Sequence, residues 1–323
     1  MRKSILRVFI ITFIVAITMA AVVSTRPWLL LNNKPKLPVE FKGLSIALVK
    51  PTFTAAAYYK SFYKFYFIYS TIPLHARKNI TSDLNLLSTP VENLLTRSSS
   101  ASSILYLTTH LRTALPESNT HVLTDEDVDA GSIFLTNGSN KYDILILGHQ
   151  EYVTQHEYDN LKRFVANGGT MILLDGNVFY AQVKYDRSTH KITLVKGHGW
   201  AYNGKSAWKS VSERWENETS EWVGSNYLCV SCNATIPKNP FHYSHHEEQY
   251  LSNPNDLILL NYNASVSKKL RMILDPVIAT YELNYQKGKV IALSIYSDDV
   301  MTNPEFTKYF DSLLLKNAPR AQL

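Results

Sequence analysis

The stretch from Asp143 to Leu174 constrains the fold more than any other part of this chain. Two apolar runs of strand length, Asp143–Leu147 (DILIL) and Thr170–Leu174 (TMILL), flank a segment with helical periodicity. Thr154 followed by Glu157 reads as a capping box, in which each side chain satisfies an orphan amide of the first turn. Tyr158, Leu161, Phe164 and Val165 fall on one helical face, and Asn167-Gly168-Gly169 ends the helix with residues that tolerate a left-handed backbone. Strand, helix and strand in about 32 residues make a βαβ unit. Such a unit dictates a parallel sheet, and the unbroken apolar runs say that both of its faces are covered.

The flanking sequence extends this pattern. Leu44–Val49 is a further strand, broken by Pro51-Thr52, and Thr120–Leu123 is a weaker one. Ala55–Tyr69, rich in Tyr and Phe, reads as a helix buried on two sides, and Ile104–Leu115 as a helix stopped by Pro116. Near the C-terminus, Val277–Leu283 and Val290–Tyr296, joined by Asn284–Lys289 with Gly288 for the turn, read as an antiparallel hairpin. Asn303-Pro304 then opens a last helix, with Phe306, Phe310, Leu313 and Leu314 as its core face. The expected class is α/β, a mainly parallel sheet covered by helices with an antiparallel C-terminal hairpin, running from about residue 43 to 323. Tyr185–Pro276 fits least. It holds both cysteines and four of the five Trp, and reads as an insertion or cap.

Composition narrows the function classes. At 45% hydrophobic and 19% charged residues the chain is neither disordered nor fibrous. Its formal charge of +6 drops to +3 once Arg2, Lys3 and Arg7 are set aside, too little and too evenly spread for a nucleic-acid partner. Those three residues precede the apolar run Val8–Val23, the pattern of a signal peptide or membrane anchor. Sixteen residues span about 24 Å, short of the ~30 Å hydrocarbon core. Trp28 beside Arg26 and the run Leu29–Leu31 extend the apolar character to the membrane interface. The expectation is an uncleaved single-pass transmembrane helix over residues 1–25, with 26–42 as linker, the membrane as partner and the main domain extracytoplasmic. Cleavage after Ala20 or Ala21, giving a secreted protein, and a buried helix are the alternatives. Sequons at Asn79, Asn137, Asn217, Asn233 and Asn263 are no more than composition gives by chance, so they permit an external location without arguing for it.

Ligands of open α/β sheets bind beyond the carboxyl ends of the strands. The first run of the βαβ unit opens into Gly148-His149-Gln150-Glu151-Tyr152, the second into Asp175-Gly176-Asn177-Val178-Phe179-Tyr180. Ionisable residues gathered after two adjacent strands mark His149, Glu151 and Asn177 as catalytic candidates. The same residues would equally serve as caps, with both tyrosines packed. Cys229 and Cys232, outside the cytoplasm, are expected as a local disulfide. With His242 and His246 they also approach a zinc-finger spacing whose middle is too short. Trp200, Trp208, Trp215 and Trp222 either line a cleft or pack as core.

The run YDILILGHQEY, the helix ending in NGG, and DGNVFY, together about residues 142–183, resemble the C-terminal domain of the N,N-dimethylformamidase large subunit, within the group of glutamine-amidotransferase-like folds. Val153 and Ala181 depart from the tryptophans common at those places. The fold group does not bring glutaminase chemistry, which needs a cysteine on the strand-to-helix turn where Asp175-Gly176-Asn177 stands here. No G-x-S-x-G elbow replaces it. The resemblance implies instead a mononuclear iron held by two tyrosines and a glutamate, activating water against an amide. By motif position Tyr152 and Tyr180 are the phenolates. A phenol of pKa ~10 ionises at neutral pH against a strongly acidic cation such as Fe(III). The H-x-E element that would supply the third ligand and a catalytic histidine reads in two registers, His245 with Glu247 or His246 with Glu248. Two functions follow: a membrane-anchored, metal-dependent hydrolase of amide-like bonds, or a non-catalytic module binding a small molecule or an envelope ligand.

Overall fold

A computed structural model describes residues 43–58, 62, 88–91, 99–175, 178–197, 214–228, 248–251, 257–260, 277–278, 280–293 and 304–318. Its centre is the expected βαβ unit. Strand β4 (Ile144–Leu147) leads through a helix at Gln155–Ala166 into β6 (Thr170–Leu173), and the two strands pair in parallel. On the far side of β4 lie β1 (Ser45–Lys50) and then β3 (Asn119–Thr124), also parallel. On the other side of β6 the hairpin β13 (Thr280–Tyr285) and β14 (Gly288–Ala292) joins the sheet, β14 running parallel to β6 and antiparallel to β13. The strand β11 (Leu257–Leu260) closes that edge, so part of the stretch read as an insertion belongs to the main sheet. A second sheet has the order β2 (Ser88–Pro90), β8 (Lys191–Gly197), β7 (Ala181–Asp186), β5 (Tyr152–Val153). A third joins β12 (Val277–Ile278), β10 (Glu248–Leu251) and β9 (Ser225–Leu228).

The helices, numbered α1 (Thr52–Ala56), α2 (Ser99–Ala114), α3 (Asp125–Asp129), α4 (Gln155–Ala166), α5 (Glu216–Trp222) and α6 (Pro304–Asn317), cover both faces of the main sheet. Side chains alternate across a strand, so each apolar run supplies two cores. Ala47, Val49, Leu145, Leu147, Met171 and Leu173 face Tyr158, Leu161, Phe164 and Val165 of α4. Ile46, Leu48, Ile144, Ile146, Ile172 and Ile291 face Ile104, Leu107 and Leu111 of α2 and Phe306, Phe310, Leu313 and Leu314 of α6. Residues Glu40–Leu323 form one compact unit. The βα packing is closest at Gly169 and Gly288. A Cβ on Gly169 would overlap the Phe164 ring, and one on Gly288 would overlap the carbonyl oxygens of Val165 and Gly169.

Two local expectations change. The Thr154 hydroxyl accepts from the Glu157 amide at 3.0 Å, but Glu157 does not return the bond; its carboxyl lies buried beside Asp125. The reciprocal capping box sits instead on α3, where Thr124 accepts from the Asp127 amide and Asp127 accepts from the Thr124 amide. No helix among the described residues is long and apolar enough to cross a membrane, and the leader expected as an anchor lies outside them.

Candidate functional site at the carboxyl edge of the sheet

Most polar residues of the site follow directly from a strand end. After β1 the chain turns at Pro51 into α1, and Tyr58 follows it. After β3 comes Asp125, after β4 the run His149–Tyr152, and after β6 Asp175. The last two loops are stitched together by the backbone. Phe179 N–H donates to the Gln150 carbonyl at 2.8 Å, and the amides of Tyr180 and Ala181 donate to the Glu151 carbonyl at 3.0 and 3.1 Å. Phe179 holds φ 58°, a left-handed conformation that costs an L-residue roughly 1–2 kcal/mol. Its ring is buried against Tyr158 and Trp222, which fixes that turn and brings Tyr180 back beside Glu151.

His149 is the hub. Its Nδ1 lies 2.9 Å from Asp175 Oδ2, its Nε2 lies 3.2 Å from Glu151 Oε2 and 3.4 Å from the Tyr58 hydroxyl, and that hydroxyl donates to Glu151 Oε2. His149 is 1% exposed, Glu151 0% and Asp175 2%. Both ring nitrogens face carboxylate oxygens, so both need a hydrogen, and the ring is an imidazolium. Burial alone would push its pKa down. The Asp175 and Glu151 carboxylates outweigh burial and hold it well above the ordinary histidine value. Asp175 therefore orients the ring and supports its charge, while Nε2 carries the available proton.

The two motif tyrosines are neighbours. Tyr152 stands opposite Ala181 in the β5–β7 pair, one residue after Tyr180, and both tyrosines are buried in the cluster that includes Phe53, Phe62 and Ile192. The Tyr152 amide donates to Thr54 Oγ1 at 3.1 Å, and the rings of Phe62 and Tyr58 stand edge-on to it at 5.5 and 6.3 Å. Two buried phenols beside a carboxylate-rich strand end fit the hard-oxygen half of the donor set that iron(III) takes. Among the described residues no group of three or more His, Cys, Asp or Glu is arranged to hold a metal ion. Glu248 opens β10, in a different sheet from the tyrosines. Asn177, His245, His246, Glu247, Cys229, Cys232, Trp200 and Trp208 lie outside the described residues.

A second polar group lies alongside. Asp125, fully buried, accepts from the Phe53 amide at 2.7 Å and from Gln150 Nε2 at 3.2 Å. Gln150 also donates to the Val49 carbonyl at 3.1 Å. Burial pushes the Asp125 carboxyl up to about 7, and burial together with the Asp125 charge pushes the Glu157 carboxyl up as well. The sequence reading missed Tyr58 and Asp125. Asp125 sits directly after β3, and that placement was the signal that could have found it; Tyr58 lies beyond α1 and carries no such signal. Trp215 and Trp222 settle as core: Trp215 stacks on Tyr158 at 4.3 Å, and Trp222 Nε1 donates to the Tyr158 hydroxyl at 2.8 Å.

Residues 42–263 match the profile described as N,N-dimethylformamidase beta subunit-like, C-terminal. The chain belongs to this family. The match spans β1 to β11 and so reaches well beyond the two motifs at 142–183. No curated protein matches the chain in sequence. Among solved structures, a ThuA-like protein from Bacteroides uniformis is similar with a TM-score of 0.42 and 12% identity, over 88% of this chain and 93% of that one. A cytoplasmic protein from Salmonella typhimurium LT2 is similar with a TM-score of 0.40 and 10% identity, over 69% of this chain and 89% of that one. The beta-galactosidase from Bacillus circulans sp. alkalophilus gives a TM-score of 0.39 and 9% identity over 83% of this chain. The dimethylformamidase-like chain spans 31% of that enzyme's length.

Proposed function

We propose that this dimethylformamidase-like domain is a metal-dependent hydrolase of amide-like bonds, held outside the cytoplasm by its N-terminal segment. The observation that carries the reading is the buried line Asp175–His149–Glu151, bonded by the half-buried Tyr58 hydroxyl and set beside Tyr152 and Tyr180. The two tyrosines would hold the metal, and a bound iron(III) would supply Lewis acidity toward a water or a carbonyl oxygen. The protein's own part is proton management. An amide nitrogen leaves as an amine only if it gains a proton, and His149 Nε2 holds one, oriented through Nδ1 by Asp175. Glu151, which faces Nε2 and accepts from Tyr58, would hold that proton in place until it moves to the leaving nitrogen, which leaves His149 neutral and Glu151 ionised.

The test is metal analysis and visible spectroscopy of the purified full-length protein. We expect about one iron per chain with phenolate-to-iron absorption, lost in Tyr152→Phe and Tyr180→Phe variants that still fold, together with hydrolysis of short amides. An iron- and zinc-free protein without that absorption removes the hydrolase. For the location, protease added to intact cells should digest the domain, and full protection in sealed cells counts against it. The closure of the site supports a second reading as a non-catalytic binding module, since His149, Glu151, Tyr152 and Asp175 are all at most 2% exposed. A metal-free, inactive protein whose thermal midpoint rises with an envelope or small-molecule ligand would favour that reading.

A further inference from the structure

Asp125 lies outside the line Asp175–His149–Glu151, yet it is bonded to both segments that build the outer end of that line. Gln150 stands between His149 and Glu151, and it is buried at 0% exposure, as Asp125 is. While the His149 and Glu151 side chains meet each other, Gln150 Nε2 donates to the Val49 carbonyl at 3.1 Å and to Asp125 Oδ1 at 3.2 Å. The other Asp125 oxygen accepts from the Phe53 amide at 2.7 Å. That amide belongs to the first turn of α1, where amides lack partners within the helix, and α1 has no side-chain cap of its own. In return the Asp125 amide, at the start of α3, donates to Thr52 Oγ1 at 3.3 Å.

We propose that Asp125 and Gln150 are positioning residues: they fix the register between α1, which leads to Tyr58, and the loop that carries His149 and Glu151, so that Glu151 Oε2 meets both the Tyr58 hydroxyl and His149 Nε2. The Tyr58–Glu151 contact joins positions 93 residues apart, and one carboxylate holds both of its segments. A second tie, from the Tyr152 amide to Thr54 Oγ1 at 3.1 Å, joins the far end of the same loop to α1. Each Asp125 oxygen takes one segment, so a shift of either breaks a buried bond that water cannot replace. This role rests on the functional reading above only in taking the Nε2 proton as the one that moves.

The brace acts on one side of the imidazolium. Asp175, which meets Nδ1 at 2.9 Å, follows β6 and belongs to neither braced segment. His149 itself is held from the β4 side, since the amide of Gly148 donates to the Val49 carbonyl at 3.4 Å. Loosening Gln150 therefore frees Glu151 from Nε2 and leaves the bond at Nδ1 in place. If Asp125 served only as a cap for α1, its loss would lower stability and leave both ring bonds of a folded variant as they were.

The experiment is NMR on the full-length protein with isotope-labelled histidine, diamagnetic gallium(III) replacing any iron it carries. Both His149 ring N–H protons should resonate downfield of the amides, because both sit in charge-assisted bonds. In Gln150→Met, which keeps the length of the side chain and loses its amide, the Nε2 proton should exchange with solvent about fivefold faster or more, the scale of one lost hydrogen bond. The Nδ1 proton should exchange as in the wild type. Two unchanged protons, or two accelerated to the same degree, in a variant that still melts cooperatively would overturn the brace. Should Gln150→Met not fold, Asp125→Asn, which keeps the shape and one acceptor oxygen, is read on the same two protons. Neither metal uptake nor turnover enters these readouts. A failed brace leaves the hydrolase standing, and an iron-free, inactive protein leaves the brace standing.

Discussion

The charge on His149 is set by two carboxylates that approach opposite ring nitrogens, and this makes its environment testable one atom at a time. Asp175 is the larger influence raising its pKa, ahead of Glu151, with burial opposing both. The imidazolium contributes stability that is fully present below about 6.5, the unfolded histidine value, and is lost as pH rises through the higher folded value. Asp175→Asn keeps an acceptor at Nδ1 but removes the charge and leaves a buried cation less compensated. We expect it to destabilise the domain by about 3 kcal/mol near pH 6, with the penalty shrinking at alkaline pH. Its His149 imidazole resonances should titrate at lower pH than in the wild type. Unchanged titration would show that Asp175 does not support the charge. His149 and Glu151 were legible because they follow a strand within a few residues. Tyr58 was not, because it bonds Glu151 across a sequence separation of 93 residues and lies in a segment whose Tyr and Phe content reads as buried helix.

Among the secondary-structure elements, the strands and long helices carry their own signatures, whereas caps and close contacts depend on what stands opposite. The pattern Thr154-x-x-Glu157 fits a capping box by spacing, yet the Glu157 carboxyl is buried and does not return the bond, and burial with the charge of Asp125, 32 positions earlier in the chain, pushes its pKa up. The box that does form, Thr124 with Asp127, lies at the start of α3, a helix too short to show periodicity. Thr124→Ala should cost about 1 kcal/mol, as loss of an N-cap does. Gly288→Ala should cost more, about 3 kcal/mol, because its Cβ would meet two backbone carbonyls rather than a side chain able to move. Chemical denaturation of both variants checks the order, and a Gly288→Ala protein as stable as wild type would show that β14 and α4 have room to separate. Gly288 was read as a turn residue. Its tighter constraint comes from packing against the carbonyls of Val165 and Gly169, which the hairpin sequence does not contain.

For the whole molecule, the family profile ends at residue 263, but the main sheet does not. Strand β14 lies between β13 and β6, so a chain stopped at 263 would turn the central strand β6 into an edge with unpaired backbone groups. One face of the sheet would also lose Ile291, Leu293, Phe306, Phe310, Leu313 and Leu314, all buried in the same core. At roughly 1.5–3 kcal/mol for each large apolar side chain buried, that loss is of order 10 kcal/mol. A typical domain is stable by only about 5–15 kcal/mol, so the truncated chain should not fold. The hairpin and the last helix were each legible as elements, and the βαβ unit gave their parallel neighbours. Their place beside β6 was not legible, because sheet order depends on pairing between strands more than a hundred residues apart, as β6 and β14 are. The measurement is circular dichroism and amide dispersion in NMR spectra of chains covering 40–323 and 40–263. We expect the first to melt cooperatively and the second to show collapsed dispersion without a transition. A cooperative transition in the shorter chain would mean that the family's matched region is a complete folding unit, with β13, β14 and α6 packed on as an accessory layer.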